Sequence, residues 1–302
     1  MEHDVPVFFQ PFWLDITCKP GRWDIVFAKK GKEIIGVMPF YKKRKGFIGM
    51  PPLTPYMGPF IDFPNDMKYT HRLSKEHTIL KEIIDQLPNF KYFNQRFHPG
   101  FTNWLPFYWN DYQQTTRYTY LLPDINDLSN VYGNFKNNVK RNIKKAEKSF
   151  HVRELKEDEI EKFYRIIKKN RKPNFNFDVL QNLVKACEKR NCGKTIAAFD
   201  DNNVLYASIF LVWDTKKAYY ILGARNPELN TNQAMSLILW SGIQIVSQKV
   251  KAFDFEGSMI EPIERYFRTY GAMQKRYMQV YKVRNKFFKL ALCLADSINI
   301  KF

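Results

Sequence analysis

The N-terminal part of the chain alternates apolar and polar residues in short runs, which is typical of strands. Two such runs, 23–28 and 33–40, flank the turn-forming tract 29–32 and predict a β-hairpin. The tract 50–59 holds too many prolines and glycines for a helix and predicts a shaped loop. The other elements predicted for this part are a helix over 73–87 and strands over 90–97 and 118–122.

One amphipathic helix is predicted over residues 131–150. Its apolar positions recur at helical spacing, at Phe135, Val139, Ile143, Ala146 and Phe150. Its other faces are strongly basic and carry Lys136, Lys140, Arg141, Lys144, Lys145 and Lys148. This concentration of charge has two interpretations: a surface that binds a polyanion, or a solvated helix surface.

The second half of the chain shows a clearer plan of strands and helices. In order, the pattern predicts a strand, two helices, three antiparallel strands, a helix, a strand, a short helix and a final strand. These elements span 151–155, 158–169, 177–190, 194–199, 204–213, 218–223, 231–248, 252–255, 262–270 and 274–283. The length and the repeated plan favour two domains, 1–150 and 151–302.

The composition is that of a packed protein with a strong basic excess. The 302 residues are 45% hydrophobic, and 48 Lys+Arg against 30 Asp+Glu give a formal charge of +18. The disordered and low-complexity classes are therefore excluded. The charge favours association with RNA, a phosphorylated substrate or an anionic membrane face, or it reflects solvated lysines.

The sequence pattern gives no indication of export or of a membrane span. No window approaches the roughly 18 consecutive apolar residues of a span, and residues 1–4 lack the basic flank of a signal peptide. The four cysteines form no CxxC pair, so we expect reduced thiols and a cytoplasmic protein. An apolar tract at 287–295 predicts a helix that packs on the protein or docks at a membrane interface.

Three motifs carry a resemblance to a known family. They are FDFEG at 253–257 with the short helix that follows it to Gly271, RNIKKA at 141–146, and the hairpin that leads from Trp23-Asp24 to Gly36-x-x-Pro39. With these motifs, and with the element order of its second half, the chain resembles the Fem-type (FemAB-like) aminoacyltransferases and related acyltransferases of the GNAT superfamily.

The resemblance implies an α/β (α+β) fold of two tandem GNAT-like domains, each a mixed, mostly antiparallel sheet flanked by helices. Residues 1–150 would form a degenerate GNAT-like domain that ends in the basic helix, and 151–302 a GNAT-like domain with the acyl-transfer site. The implied reaction transfers an acyl or aminoacyl group from acyl-CoA or aminoacyl-tRNA to an amine of an anionic acceptor. No tightly bound cofactor is expected. The expected partners are a small anionic or cell-envelope precursor, tRNA, and a peripheral membrane contact.

Candidate site residues follow from this chemistry. Aminolysis of a thioester or ester needs a group that takes a proton and cations that hold the charged donor. The catalytic candidates are Glu256, Tyr266 and Arg268. The resemblance implies that the donor's pyrophosphate lies at the N-terminus of the long helix, where free N–H groups and the helix dipole favour an anion. The donor-binding candidates at this junction are Arg225, Asn230, Thr231 and Asn232. Asn230 and Thr231 have a structural alternative, which is to cap the helix. The substrate-binding candidates are Lys140, Arg141, Lys144, Arg265 and Tyr56.

Several of these assignments have structural alternatives. Alternation along a strand would place Asp254 and Glu256 on one face, where Glu256 acts as a base or pairs with Arg265 or Arg268. Tyr266 also suits a core position. Arg268 stands where the family has lysine, and the loop before the long helix lacks the family's glycine-rich phosphate motif. A second hypothesis is therefore a catalytically decayed module that binds RNA or an anionic membrane surface.

Other catalytic templates are absent from the sequence. There is no GxSxG, GxxxxGK[ST] or HExxH motif, and the five histidines form no ligand-spaced group. We therefore predict no metal site.

Overall fold

The computed structural model describes residues 5–63, 66–229 and 233–284, which hold alternating helices and strands. The helices are α1 (Pro11–Thr17), α2 (Tyr69–Gln86), α3 (Leu105–Tyr108), α4 (Leu128–Gly133), α5 (Asn137–Ala146), α6 (Ile160–Asn170), α7 (Phe177–Lys189), α8 (Gln233–Ser247) and α9 (Glu261–Arg268). The strands are β1 (Trp23–Lys30), β2 (Glu33–Arg44), β3 (Phe47–Gly49), β4 (Phe60–Ile61), β5 (Tyr92–Arg96), β6 (Gln113–Leu122), β7 (His151–Glu154), β8 (Gly193–Phe199), β9 (Leu205–Trp213), β10 (Lys217–Arg225), β11 (Ala252–Asp254) and β12 (Met273–Val283).

The chain divides into two compact units. The first comprises Met1–Thr17 and Tyr118–Lys275, and the second comprises Cys18–Arg117 and Arg276–Phe302. The boundary at residue 150, which the sequence predicted between two GNAT-like halves, stays a prediction. The predicted helix at 287–295 lies outside the described residues.

The first unit is built on a mostly antiparallel sheet with the strand order β6-β11-β10-β9-β8-β7. Only β10 and β11 run parallel within this order. Helix α8 is apolar around most of its circumference and forms a core with α5 and the strands β8 to β10. Helices α6 and α7 pack against β10 and β8.

The helix predicted over 131–150 is wrong as a single helix, because the chain breaks between α4 and α5. Gly133 ends α4 and Asn134 follows it as the cap. The buried Phe135 ring packs against Trp240 and Tyr270, and the backbone N–H of Lys136 donates to Thr269 O at 2.8 Å. Packing at the break therefore overrides the helical spacing, which was correct only within each shorter helix.

The second unit contains the sheet order β1-β2-β3-β5-β12, with β4 paired to β2. The predicted hairpin is confirmed, since β1 and β2 pair antiparallel from Trp23↔Tyr41 to Lys30↔Glu33. Helix α2 buries one apolar face, as its spacing predicted. It lies so close to β2 that an ideal Cβ on Gly36 would be 2.6 Å from Ile79 Cγ2.

A second parallel pair, β3 with β5, is closed by the loop that follows β3. The two strands pair at Phe47↔Tyr92 and Ile48↔Phe93, and the loop then returns so that Met57 forms a parallel bridge with Phe97. The backbone N–H of Met57 donates to Arg96 O at 2.7 Å. The proline- and glycine-rich tract is therefore the shaped loop that the sequence predicted, and it extends the parallel ladder. We call β3, β5 and this loop the closed pair.

Among the helices that the structure describes, none combines the length and the apolar character needed to cross a bilayer.

Candidate active site

The parallel strands β10 and β11 separate where their pairing ends. The pairing runs from Lys217↔Ala252 to Tyr219↔Asp254, and β11 stops there whereas β10 continues to Arg225. The ladder between β10 and β9 shifts register between Tyr220 and Leu222, so β10 is bulged at this point. We call residues 220–225 and 255–257 the strand fork.

The chain turns sharply at Glu256 and Gly257, directly after β11. Both residues have a positive φ, of 59° and 57°. An ideal Cβ on Gly257 would lie 2.1 Å from Tyr118 O, so only glycine allows the turn to approach β6 this closely. A positive φ costs a non-glycine residue roughly 1–2 kcal/mol, so the surrounding structure must hold Glu256 in this conformation.

Asp254 holds this turn. Its fully buried carboxylate accepts hydrogen bonds from the Thr119 hydroxyl and from the backbone N–H of Glu256, the latter at 2.8 Å. The prediction that Asp254 and Glu256 share one face of a strand is wrong, because β11 ends at Asp254 and Glu256 adopts a positive φ. The turn, and not strand alternation, therefore places the Glu256 side chain.

Three tyrosines gather at the strand fork beside a buried serine. The hydroxyl oxygens of Tyr266 and Tyr270 are 2.7 Å apart, and Tyr270 is fully buried. Ser236 of α8 is buried beside both phenols. Tyr220 lies across Gly223, where an ideal Cβ would be 1.8 Å from the Tyr220 hydroxyl oxygen. Glycine at position 223 therefore makes room for this phenol.

Burial keeps these phenols in their protonated form. It raises the pKa of Tyr220, Tyr266 and Tyr270 above the usual value of 10.0. At Tyr220 the nearby Tyr266 and Glu256 raise the pKa further, whereas the Arg171 guanidinium lowers it. The three phenols therefore stay neutral and can donate hydrogen bonds at neutral pH.

The two arginines of α9 form ion pairs one helical turn away. Arg265 contacts Glu261 at 2.6 Å, and the Nε of Arg268 contacts Glu264 at 2.7 Å. Glu264 also accepts a hydrogen bond from the Tyr120 hydroxyl at 2.6 Å. The ion-pair partners of Arg265 and Arg268 are therefore Glu261 and Glu264. Both guanidinium groups remain largely exposed.

Basic residues border the carboxyl end of β10. Arg225 is exposed, and its carbonyl accepts a hydrogen bond from the Asn170 amide at 2.8 Å, which brings the end of α6 to this edge. Arg171 follows α6, is exposed, and is close enough to affect the pKa of Tyr220. Neither arginine forms an ion pair with the residues that the structure describes. The other donor-binding candidates, Asn230, Thr231 and Asn232, lie outside the described residues.

The substrate-binding candidates on α5 lie on the surface of the first unit. The Lys140 ammonium group donates to Gly133 O at 2.6 Å and so caps α4, whereas Arg141 and Lys144 are exposed. Lys144 also borders a shallow pocket of about 310 Å³. The full lining of this pocket is Leu128, Ser129, Tyr132, Lys144, Glu147 and Trp240.

Tyr56, the remaining substrate-binding candidate, lies in the core of the second unit. Its side chain is fully buried and packs edge-on against His98 and Tyr277, with ring centroids 5.7 and 5.1 Å away. Its predicted contact with substrate stays a prediction.

Metal-ligating side chains do not gather in the described part of the chain. Across residues 5–63, 66–229 and 233–284, no group of three or more His, Cys, Asp or Glu is placed to hold an ion.

Sequence reasoning missed Tyr220, Gly223 and Ser236. Residues three apart in a regular strand point to opposite faces, so Tyr220 and Gly223 gave no joint signal. The bulge between Tyr220 and Leu222 shifts the alternation by one residue and brings them together. The sequence shows this contact only as a Tyr-x-x-Gly spacing near a strand end, and that spacing is not enough to predict a bulge.

A sequence match to a known family model covers the strand fork. Residues 133–268 match the model described as an acetyltransferase (GNAT) domain. The matched stretch contains β10, β11, α8 and α9, and therefore all three predicted catalytic residues. No curated protein matches the chain in sequence.

Solved structures with the same fold cover nearly the whole chain. The crystal structure of FemX has 13% identity and a TM-score of 0.59, and covers 89% of this chain and 90% of its own. The C-terminal domain of a putative lysylphosphatidylglycerol synthetase from Agrobacterium fabrum has 10% identity, a TM-score of 0.58, and coverage of 92% and 89%. A tandem GNAT protein from the clavulanic acid biosynthesis pathway has 8% identity, a TM-score of 0.51, and coverage of 88% and 84%.

These findings confirm the resemblance, the fold class and the enzyme class that the sequence predicted. The chain has the α/β fold of GNAT proteins, with mostly antiparallel sheets flanked by helices. Within this fold, residues 133–268 match a GNAT acetyltransferase domain, and the whole fold is similar to that of FemX.

Proposed function

We propose that this GNAT protein transfers an acyl group from an acyl-CoA thioester to an amine of an anionic acceptor. The observation that carries the proposal is the strand fork, which lies within the matched GNAT domain. It is bordered by one carboxylate, that of Glu256, and by tyrosines whose raised pKa keeps them protonated. A proton acceptor beside proton donors is what aminolysis of a thioester requires.

The reaction forms a C–N bond and breaks a C–S bond. The amine attacks the thioester carbonyl, and Glu256 takes the proton that the nitrogen loses. The peptide of Ile221, at the bulge of β10, is suited to donate its N–H to the carbonyl oxygen as negative charge develops there. The sulfur leaves as thiolate and takes a proton from a tyrosine hydroxyl, for which the sequence proposed Tyr266. The proton held by Glu256 then passes to the phenolate, directly or through water, so that both groups are restored.

The basic border of the fork supports a phosphate-bearing donor. Arg225 and Arg171 are exposed at the carboxyl end of β10, where the phosphates of a CoA molecule bound along the fork would lie. The candidates Asn230, Thr231 and Asn232, which lie outside the described residues, precede α8 in the sequence and keep their proposed role in donor binding. Guanidinium groups bind phosphate oxygens in pairs, which suits this role.

The acceptor is proposed to be an anionic amine of the cell-envelope precursor or lipid class. Two similar structures carry the names FemX and lysylphosphatidylglycerol synthetase, and the latter name specifies a lipid. An open groove of about 500 Å³ lies along α9 and is lined by Glu261, Pro262, Arg265, Tyr266 and Thr269. Arg265 and Arg268 would then face the anionic group of the acceptor.

Amine-dependent release of the CoA thiol tests this function. The purified protein is incubated with acetyl-CoA and, in turn, O-phosphoethanolamine, glucosamine 6-phosphate, lysine and vesicles of phosphatidylethanolamine. We expect thiol release that depends on an anionic amine, with the acetyl group recovered as an amide. A folded protein that releases no thiol with any amine, and that also fails with palmitoyl-CoA, contradicts the proposal.

A second candidate keeps the fold but not the reaction: a module that binds RNA or an anionic membrane surface. The exposed cations of α5 favour it, since Arg141, Lys144 and Lys145 form no ion pair within the described residues. Binding of a labelled oligonucleotide, or of a labelled aminoacyl-tRNA, is measured for wild type and for Lys144→Glu/Lys145→Glu. Loss of binding in the variant, with no acyl transfer by either protein, would support this candidate. Acyl transfer that the variant retains after losing binding would contradict it, because the reaction would then exist without α5.

A further inference from the structure

The turn that ends α7 brings two cysteines together. Helix α7 ends at Lys189, and Asn191 follows with a positive φ of 52°. The backbone N–H of Cys192 donates to Cys187 O at 2.9 Å. The backbone N–H of Asn191 donates to Glu188 O, also at 2.9 Å. This pair of hydrogen bonds is a Schellman motif, in which the side chains of the first and last residues commonly lie in contact.

The backbone geometry suits a disulfide between Cys187 and Cys192. Residues that are joined by a disulfide have Cα atoms about 4.4–6.8 Å apart. The Cα of Cys192 is one bond from the donating nitrogen, and the Cα of Cys187 is two bonds from the accepting oxygen. Because that hydrogen bond is 2.9 Å long, standard bond lengths keep the two Cα atoms no more than about 7 Å apart.

The side chain of Cys187 lies beside the chain that follows Cys192. An ideal Cβ on Gly193 would be only 2.6 Å from Cys187 Cβ, so the glycine leaves the space that this cysteine occupies. The sheet holds the other side of the turn, since the backbone N–H of Trp213 donates to Cys192 O at 2.8 Å. Both cysteines are therefore fixed close to each other before any bond forms between them.

The two thiols differ in their access to solvent. Cys187 is fully buried, whereas Cys192 is partly exposed. The Cys187 thiol donates a hydrogen bond to the Cys192 sulfur, which lowers the pKa of Cys192; the Arg190 guanidinium lowers it too, and burial opposes both. Thiolate is the reactive form of cysteine. An oxidant from solvent should therefore react first with Cys192, with the Cys187 sulfur next to the product.

We propose that Cys187 and Cys192 form a reversible disulfide when the protein meets a peroxide. The inference is independent of the proposed acyl transfer. The Cys192 sulfur attacks one oxygen of hydrogen peroxide, the O–O bond breaks, and a sulfenic acid and one water form. The Cys187 sulfur then attacks the Cys192 sulfur, the S–O bond breaks, and the hydroxide leaves with the Cys187 proton as a second water. Two thiols are thus oxidised to one disulfide, and one peroxide is reduced to two waters.

Peptide mapping tests the disulfide directly. Trypsin cleaves after Lys189 and Arg190, so it cuts the chain between the two cysteines. The reduced protein is treated with a small excess of hydrogen peroxide, its remaining thiols are alkylated, and the digest is analysed by mass spectrometry. We expect peptides 186–189 and 191–194 to be joined, with the loss of two of the four thiols. Dithiothreitol added before alkylation should separate the two peptides.

Two variants serve as controls. Cys18 is also a buried free cysteine, and we expect it to be oxidised at least about tenfold more slowly than Cys192. Cys18→Ser should therefore keep the joined peptides. Cys192→Ser should leave Cys187 reduced at the peroxide dose that joins the peptides in wild type, because oxidation of the buried thiol depends on its neighbour. Melting temperatures show that each variant is folded.

Each outcome decides the proposal. Peptides that are joined in wild type and in Cys18→Ser support it. Oxidation of Cys192 to sulfinic acid while the peptides stay separate, or a disulfide that contains any other cysteine, overturns it. No loss of thiols at a dose that oxidises N-acetylcysteine overturns it too, since the two cysteines would then only pack as small apolar side chains. None of these results depends on turnover of acetyl-CoA, so the proposed function is tested separately.

Discussion

The protein contains two parallel strand pairs that continue in opposite ways. In the closed pair, the chain after β3 returns beside β5, and hydrogen bonds of Met57 with Arg96 and His98 extend the ladder. In the pair of β10 and β11, nothing in the described ladder follows Tyr219↔Asp254, and the fork is bordered by Tyr220 and Glu256. The same local pairing therefore continues into a closed ladder in one case and ends beside acid–base groups in the other.

The difference supports the proposed place of the chemistry, at the strand fork. Tyr56 belongs to the loop of the closed pair and is fully buried, as expected of a side chain that fills a gap. Glu256 instead follows β11 in a strained turn that Asp254 stabilises, which is the kind of strain found at functional sites. If this comparison is right, changes at the fork alter turnover, and equivalent changes at the closed pair alter at most stability.

The largest expected effect is that of Glu256→Gln, which removes the proton acceptor but keeps the size of the side chain. We expect kcat/KM for acetyl-CoA to fall by about 10²–10⁴-fold with an unchanged melting temperature. Tyr56→Phe is the counterpart in the closed pair and should change kcat/KM by no more than about twofold. Steady-state kinetics of both variants test this. Similar losses of kcat/KM in Glu256→Gln and Tyr56→Phe would contradict the difference between the fork and the closed pair.

Two glycine substitutions should separate stability from turnover. Gly257→Ala brings a Cβ to 2.1 Å from Tyr118 O at a φ of 57°, and Gly58→Ala brings one to 2.4 Å from Phe97 Cδ1 at a φ of 93°. We expect each to lower the free energy of unfolding by roughly 3 kcal/mol, combining backbone strain with overpacking. Only Gly257→Ala should also lower turnover, because it moves Glu256.

Gly31→Ala is the control for backbone strain alone. Gly31 has a φ of 63° and no atom within 4 Å of its ideal Cβ. Its substitution should cost roughly 1 kcal/mol in urea unfolding. A Gly257→Ala variant that is as stable as Gly31→Ala would show that the turn after β11 can shift, and that Glu256 is not held as we describe.

A smaller effect is expected from charge reversal at the edge of the fork. Arg225→Glu should raise KM for acetyl-CoA by about tenfold at low salt, and the increase should shrink as salt screens the phosphates. Lys45→Glu makes the same change of charge beside the closed pair, where Lys45 is exposed between β2 and β3. Equal KM values for the two variants would show that the donor phosphates do not bind at the strand fork.

The smallest expected effect is that of alkaline pH on the rate, which we expect to be absent. Because burial raises the pKa of Tyr220 above 10.0, its proton is kept as the pH rises through the range in which an ordinary phenol would ionise. The rate with saturating acetyl-CoA should therefore show no alkaline loss below about pH 10. A fall with a midpoint between pH 8 and 9, in a protein whose circular dichroism is unchanged, contradicts a site in which the phenols stay protonated.

Local patterns in the sequence were enough for most elements but not for the site. Alternation predicted β1 and β2, and helical spacing predicted α2, because a single face of each is buried. The break between α4 and α5 was missed because it depends on Phe135 and Lys136 meeting residues more than a hundred positions away. The fork was missed for the same reason, since β10 and β11 become neighbours only in the folded sheet.

The candidate residues also divide into those that the local sequence indicates and those that depend on the folded sheet. Glu256 was found through the FDFEG motif, but its positive φ, which removes it from strand alternation, was not visible in the residues. The ion pairs Glu261–Arg265 and Glu264–Arg268 have the four-residue spacing of neighbours on a helix, so the sequence alone is enough to predict them. The contact between Tyr220 and Gly223 depends on the bulge of β10, which cannot be predicted from the residue types.

Hydrogen–deuterium exchange with and without saturating acetyl-CoA tests the central claim most directly. Past Tyr219 the ladder of β10 with β11 has ended, so amides on that side of β10 should exchange in the free protein and become protected by a donor bound in the fork. We predict slower exchange in residues 219–225 and 253–257 and no change in 47–58 and 92–98. Protection confined to the closed pair, or none at all in a protein that turns over acetyl-CoA, would contradict the account.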